Sequence, residues 1–363
     1  MGLRNDEHER HNGAMIDSQP PPRPKPFDLL ASLASFAHAK GISLTDPGLV
    51  STFTADASDQ LTAALDDAAL LHGSRTERLF EATVLSLGKF RLFKAEDNGR
   101  VHSAETVRAP DFRAVLDGGD QWLIEVKNVR CKDPLKQCTT MSAAYLSSLQ
   151  SYAHATRVPL RLAIYWSLWN IWTLVAPEPF VRENGSLSVR MQDALVADEF
   201  SRLGDVTIMT MPPLSIVMNA ATDRPRSLKA DVANFIIGSV EIFANGQKLD
   251  DASDRKLAEV LLFYGDWKLS GPFALMEGDE IAGVQYIAEP EEVSGNGWEG
   301  IGRASRIFSR YFAAQTIEDE HVIQLHGRAA PDWFAPLKSW DFTNSKLRLL
   351  LAYMEPNLDL IRK

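Results

Sequence analysis

Along the first hundred residues, apolar positions recur with a helical period. "FDLLASLASFAHAKG" predicts a helix closed by glycine. A second helical region runs from about Ala55 through "DQLTAALDDAALLHG", where Gly73 punctuates it, and "SRTERLFEATVLSLGKF" resumes the period. From about residue 98 the pattern changes to alternation: "DFRAVL", a Gly-Gly turn and "QWLIEVKNV" predict a β-hairpin. "TTMSAAYLSSLQSYAHAT" then reads as a helix with small residues on one face, and "PLRLAIYW" and "IWTLVAP" as two buried strands. A helix around 190–203 and the apolar "DVTIMTM" complete this unit. Beyond about 215 the character switches to "VEIFANGQKL" around an Asn-Gly turn, a helix near 253–263, and strands at "GPFALME" and "AGVQYIAEP". The end reads as mainly helical, in "GIGRASRIFSRYFAAQ" and "SKLRLLLAYME". No internal repeat is visible.

These patterns divide the chain into four parts. Residues 1–26 read as a polar, disordered arm ending in "SQPPPRPKP"; 27–72 as a helical N-terminal extension; 73–214 as the hairpin unit; and 215–363 as a C-terminal α+β domain of no assigned role. A length of 363 residues suffices for two cores, and 45 % hydrophobic with 24 % charged residues is an ordinary globular balance. "LAIYWSLWNIWTLVAP" is too short and too polar to span a bilayer, and the charged N-terminus has no apolar signal segment, so a cytoplasmic location is expected. Two cysteines, Cys131 and Cys138, cannot build a zinc site unaided, and reduced thiols are expected of both. The net charge of −10 argues against a protein that coats nucleic acid with a general positive field. It leaves room for a local patch: "KNVRCKDPLKQ" sets Lys127, Arg130, Lys132 and Lys136 against Asp133 alone, though a solvated lysine loop explains that run equally well. The aromatic run "YWSLWNIW" has strand periodicity and reads as core before it reads as a base-stacking surface. HExxH, a phosphate-binding glycine loop and a nucleophile-elbow serine are all absent.

The chemistry concentrates in "PDFRAVLDGGDQWLIEVKN". Alternate strand residues share a face, so Glu125 and Lys127 point one way while Trp122, Ile124 and Val126 point into packing. Asp111 opens the neighbouring strand and can reach the same spot. Two carboxylates so close repel each other unless a cation lies between them, and magnesium favours hard oxygen ligands. The pair with an ammonium group therefore describes a metal-assisted hydrolytic centre. By itself the spacing fits a solvent-face salt bridge as well. On the preceding helix Glu77 borders the apolar stripe of Phe80, Val84 and Leu87, whereas Glu81 sits further toward solvent. Glu77 is the better third acid, with an ion pair to Arg78 or a neighbour as its plain alternative.

The order "GSRTER", "PDF", "IEVK" resembles the PD-(D/E)xK nuclease superfamily, and within it the archaeal Holliday-junction resolvases. "LQSYAHATRVPLRLAIYW" and "WTLV" are similar to their following helix and strands, so the likeness covers about residues 72–176. It implies an α/β fold with a restriction-endonuclease-like core, a mixed β-sheet flanked by helices, in 73–214. It further implies catalytic residues Lys127, Glu77, Asp111 and Glu125, with Asp111, Glu125 and Glu77 binding Mg2+ or, in its place, Mn2+. Hydrolysis of phosphodiester bonds in DNA is the implied activity, in restriction, defence or repair. Arg130, Lys132 and Lys136 are candidate nucleic-acid contacts. Cutting two strands suits a homodimer, and the C-terminal region could take a protein partner. The long segment "EDNGRVHSAETVRA" between Glu77 and Asp111 departs from the resolvases; Arg108 and His102 in it read first as surface-loop residues and second as phosphate contacts. A non-catalytic nucleic-acid-binding or scaffold protein on the same fold is the competing class.

Overall fold

The computed structural model describes residues 26–96, 102–229, 232–327, 333–334, 337, 340 and 344–361. The expected N-terminal arm falls outside them except for Pro26. Within them the chain is a mixed α/β protein. It opens with three helices, α1 (Pro26–Lys40), α2 (Leu49–Asp66) and α3 (Ala68–Leu87). Gly73 does not interrupt α3; the break lies at Asp67, whose carboxylate caps α3 by accepting from the Ala69 and Leu70 amides. A helix-interior glycine costs only about 1 kcal/mol, which the packing of α3 overrides. Gly88, in the left-handed region at φ 63°, ends the helix.

Next come β1 (Leu92–Ala95), β2 (Phe112–Val115), β3 (Gln121–Val129), β4 (Cys138–Met141), α4 (Ala143–Thr156), β5 (Leu160–Trp166) and β6 (Ile171–Val175). Five of these strands form one sheet in the order β1-β2-β3-β5-β6. Only the β3–β5 pair is parallel, and β4 and α4 make the connection between those two strands. The hairpin thus forms as its alternation predicts. The following helix is shorter than expected: "TTM" belongs to β4, which pairs with β7 (Leu187–Arg190), and Ser142 caps α4. In place of a single helix over 190–203 stand α5 (Met191–Val196) and a 3-10 turn at Phe200–Leu203. Asp198 separates them, its carboxylate taking the amides of Leu174 and Phe200.

The remaining elements are β8 (Thr207–Thr210), β9 (Leu214–Ala220), β10 (Ser227–Lys229), β11 (Val232–Asn234), β12 (Ile237–Ala244), β13 (Gln247–Lys248), α6 (Ala252–Tyr264), β14 (Lys268–Glu277), β15 (Glu280–Glu289), β16 (Glu299–Arg303), α7 (Ala304–Thr316), β17 (Ile317–Glu318), β18 (His321–Val322) and β19 (Leu349–Ala352). A second five-stranded sheet runs β13-β12-β9-β15-β14. The Asn245-Gly246 turn closes its β12–β13 hairpin with both residues at positive φ, as the sequence predicts. "DVTIMTM" does not complete the hairpin unit: β8 joins β16 and β19 in a separate three-stranded sheet. Two stretches expected to be helical are therefore strands, the start of "GIGRASRIFSRYFAAQ" and the "LLLA" of the C-terminal segment. Pairing on both edges of β8 outweighs the leucine-rich local preference for helix.

Two apolar cores flank the first sheet. One takes Trp122, Ile124 and Val126 and packs them with Phe80, Trp172 and Phe200; the other takes Leu123 and Val129 with Leu146, Leu149 and Ile164. The first core continues without a break to Leu257, Phe308 and Leu349, so apolar packing crosses residue 214, while α3 runs through residue 73. Each large side chain so buried stabilises the fold by roughly 1.5–3 kcal/mol. A polar junction reinforces this packing. Arg303 donates to Asp198 at 2.7 Å and to Asp205 at 2.8 Å, both acids being buried, and Trp172 in β6 donates to Ser309 in α7 at 3.1 Å. Burial pushes the Asp198 carboxyl upward, with Arg303 opposing.

Candidate active site

The register Phe112↔Ile124 places Asp111, one residue ahead of β2, against Glu125 in the middle of β3. Phe112 and Ala114 face the same core as Ile124 and Val126, which turns Asp111, Glu125 and Lys127 to the opposite face. There Asp111 Oδ2 accepts the Val126 amide at 2.7 Å. Glu125 Oε1 accepts from Lys127 Nζ at 2.6 Å and from the Tyr145 hydroxyl at 2.5 Å, and Lys127 Nζ lies 3.1 Å from the same hydroxyl. The Glu125 side chain is only 3 % exposed and that of Lys127 25 %, so this network is largely withdrawn from water.

The electrostatics follow from that burial. Asp111 is pushed up to about 7, first by burial and then by the charge of Glu125, with the Val126 amide opposing. Burial also raises the Glu77 carboxyl; Arg78 opposes, while Glu125 and Lys127 act on it in opposite senses. Glu77 on α3 is thus within electrostatic reach of the hairpin acids. Arg78 itself pairs with Glu81 at 2.9 Å while its charge still bears on Glu77. Burial disfavours the charged form of Lys127, yet Glu125 and Tyr145 outweigh it and its pKa is raised, so the side chain stands as an ammonium.

Among the described residues, no group of three or more His, Cys, Asp and Glu side chains is gathered tightly enough to hold a metal. The three acids Glu77, Asp111 and Glu125 therefore do not close into one cage here. The donor set still suits a hard cation, since two carboxylates set opposite each other by the β2–β3 register supply oxygen ligands.

Of the basic run, Arg130, Lys132 and Lys136 do not join this network. Lys132 pairs with Glu320 at 3.2 Å, Lys136 pairs with Asp133 at 3.1 Å, and Arg130 is exposed, its charge bearing on His72. His102 is exposed as a loop residue would be. Of the aromatic run, Tyr165, Trp166 and Trp172 are core and Trp169 is exposed.

Two participants escape a reading of motifs. Tyr145 lies 18 residues beyond Lys127 on the first turn of α4, where only the fold brings it to the site. Glu96, buried just after β1, accepts from Arg113 at 2.6 Å and Tyr152 at 3.2 Å through Oε1, and its Oε2 forms an ion pair with Lys94 at 3.0 Å. Burial opposes its ionisation, but Arg113 and Lys94 hold its carboxyl below the usual range, so Glu96 is a paired structural anion.

No family model and no curated protein matches this chain. Among solved structures it is similar to a Holliday junction resolvase of the archaeal hyperthermophile Archaeoglobus fulgidus, with 20 % identity, a TM-score of 0.27, and coverage of 36 % of this chain and 95 % of that one. A likeness of that size leaves the site to stand on its own geometry. No helix among the described residues is long and apolar enough to cross a membrane.

Proposed function

We propose that this chain is a Mg2+-dependent endonuclease on a restriction-endonuclease-like core, hydrolysing phosphodiester bonds with DNA as its substrate class, in restriction, defence or repair. The observation that carries the reading is the placement of half-buried Asp111 and Lys127 beside the buried Glu125 on one face of the hairpin. Asp111 and Glu125 would hold the cation, Mg2+ or Mn2+, with Glu77 assisting from α3. A divalent ion bound there supplies a Lewis acid for the phosphoryl group and a more acidic water.

The protein's own residues do the rest. Val126 fixes Asp111 through its amide and so sets the spacing of the two carboxylates. Lys127, held as an ammonium, offers its protons to charge developing on phosphoryl oxygens. Packing under Ile124 and Val126 anchors the strand that carries Glu125 and Lys127. A homodimer and a protein partner for the C-terminal region belong to the same proposal.

One observation favours a second reading, a non-catalytic nucleic-acid-binding or scaffold protein: Glu125 is already satisfied by Lys127 and Tyr145. Plasmid nicking in Mg2+ separates the two. Wild type should nick supercoiled or branched DNA, EDTA should stop it, and Asp111→Ala and Lys127→Ala should each lose at least about 100-fold in rate. Equal rates in all three proteins, or no cleavage of linear, supercoiled, branched or single-stranded DNA by any, would favour the second reading.

A further inference from the structure

Arg108 is an exposed residue placed beside this buried network. Its backbone amide donates to the Ser148 carbonyl of α4 at 3.0 Å, which ties the loop before β2 to the helix carrying Tyr145. Its guanidinium lies over the Tyr145 ring, 4.7 Å from the centroid, and Lys127 Nζ lies at the same distance from that ring. The Tyr145 hydroxyl meets Glu125 and Lys127. No carboxylate among the described residues forms an ion pair with Arg108, whereas Arg113 nearby is committed to Glu96. A guanidinium fixed on an aromatic face keeps its planar fork of donors free, and that fork matches phosphate oxygens.

Resting on the nuclease reading, we propose that Arg108 binds a backbone phosphate of the DNA beside the cleaved bond, and that Tyr145, under it, is a positioning residue holding Glu125 and Lys127. The two functions separate along the contacts. Arg108 reaches solvent and should act on binding. The Tyr145 hydroxyl meets the acid and the ammonium, and should act on turnover.

The test measures equilibrium binding of a fluorescein-labelled DNA duplex in EDTA as a function of salt, and kcat and KM for nicking in Mg2+. The proteins are wild type, Arg108→Ala, Arg108→Lys and Tyr145→Phe, each confirmed as folded by thermal unfolding. Arg108→Ala should weaken binding about tenfold, lower the salt slope by about one phosphate contact (~0.9 in log K against log salt), and raise KM more than it lowers kcat. Arg108→Lys should recover the salt slope but not the full affinity, since the ammonium keeps the charge and loses the fork. Tyr145→Phe keeps the ring, so binding should stay within about twofold while kcat falls about tenfold or more. An unchanged salt slope in Arg108→Ala overturns the phosphate contact, and an unchanged kcat in Tyr145→Phe overturns the positioning role. If wild type binds DNA but cleaves none, the nuclease reading and the Tyr145 role fail together, and the salt slope alone decides Arg108. If wild type cleaves and none of the three variants differs from it, the inference fails while the nuclease reading stands.

Discussion

Asp111 carries the sharpest consequence at the scale of single residues. Its carboxyl titrates near 3.8 when solvated and at about 7 in the fold. Between those values the folded chain keeps a proton that the unfolded chain has released, so stability from this group falls as pH rises from about 4 to about 7 and stays low above. In metal-free protein Asp111→Asn, which retains an acceptor for the Val126 amide, should therefore be more stable than wild type by about 1–2 kcal/mol at pH 8, after discounting for partial exposure, with the gap closing toward pH 4. Thermal unfolding in EDTA across that range measures it. A variant equally destabilised at both ends would mean that the carboxylate is a net stabilising acceptor. This residue and its partners Glu125 and Lys127 are readable in the sequence because a strand's two-residue period fixes which side chains share a face. Tyr145 is not, because nothing in the spacing of a helix relates it to a strand it meets only after a crossover.

At the scale of elements, local pattern served well where one face of a strand is buried and the turn is explicit, as in the β2–β3 and β12–β13 hairpins. It failed where pairing partners are distant. Leu349–Ala352 has the leucine content of a helix, yet its backbone is claimed by β8, more than a hundred positions earlier. Arg303 lies in "GIGRASRIFSRYFAAQ", which reads as helical throughout, but it ends β16 ahead of α7 and pairs with the buried Asp198 and Asp205. Arg303→Ala strands two buried acids and should cost about 3–5 kcal/mol in urea unfolding. A loss below about 1 kcal/mol would mean that water reaches the pair and screens it.

For the whole molecule, continuity of the apolar core matters most. Trp172 packs its ring on Phe80, Tyr165 and Phe200 and hydrogen-bonds to Ser309, so the first sheet shares its packing with α7. A fragment of residues 73–214 would expose that surface and start inside α3. Produced alone, it should lack a cooperative thermal transition and near-ultraviolet aromatic signals, whereas the full chain has both. A fragment that melts cooperatively would establish an autonomous unit. The division at 215 rests on a change in sequence character, which reports local conformation and carries no information about where two stretches of apolar side chains meet.

The Arg303 junction also bears on how the protein is made. Asp205 finds its counter-charge 98 positions further along the chain. Because a ribosome releases the N-terminal part first, β1 to β6 emerge well before the cation that settles the two acids beside β6. Asp198 and Asp205 are therefore synthesised well before their counter-charge, and a product truncated before residue 303 would leave both buried acids without it.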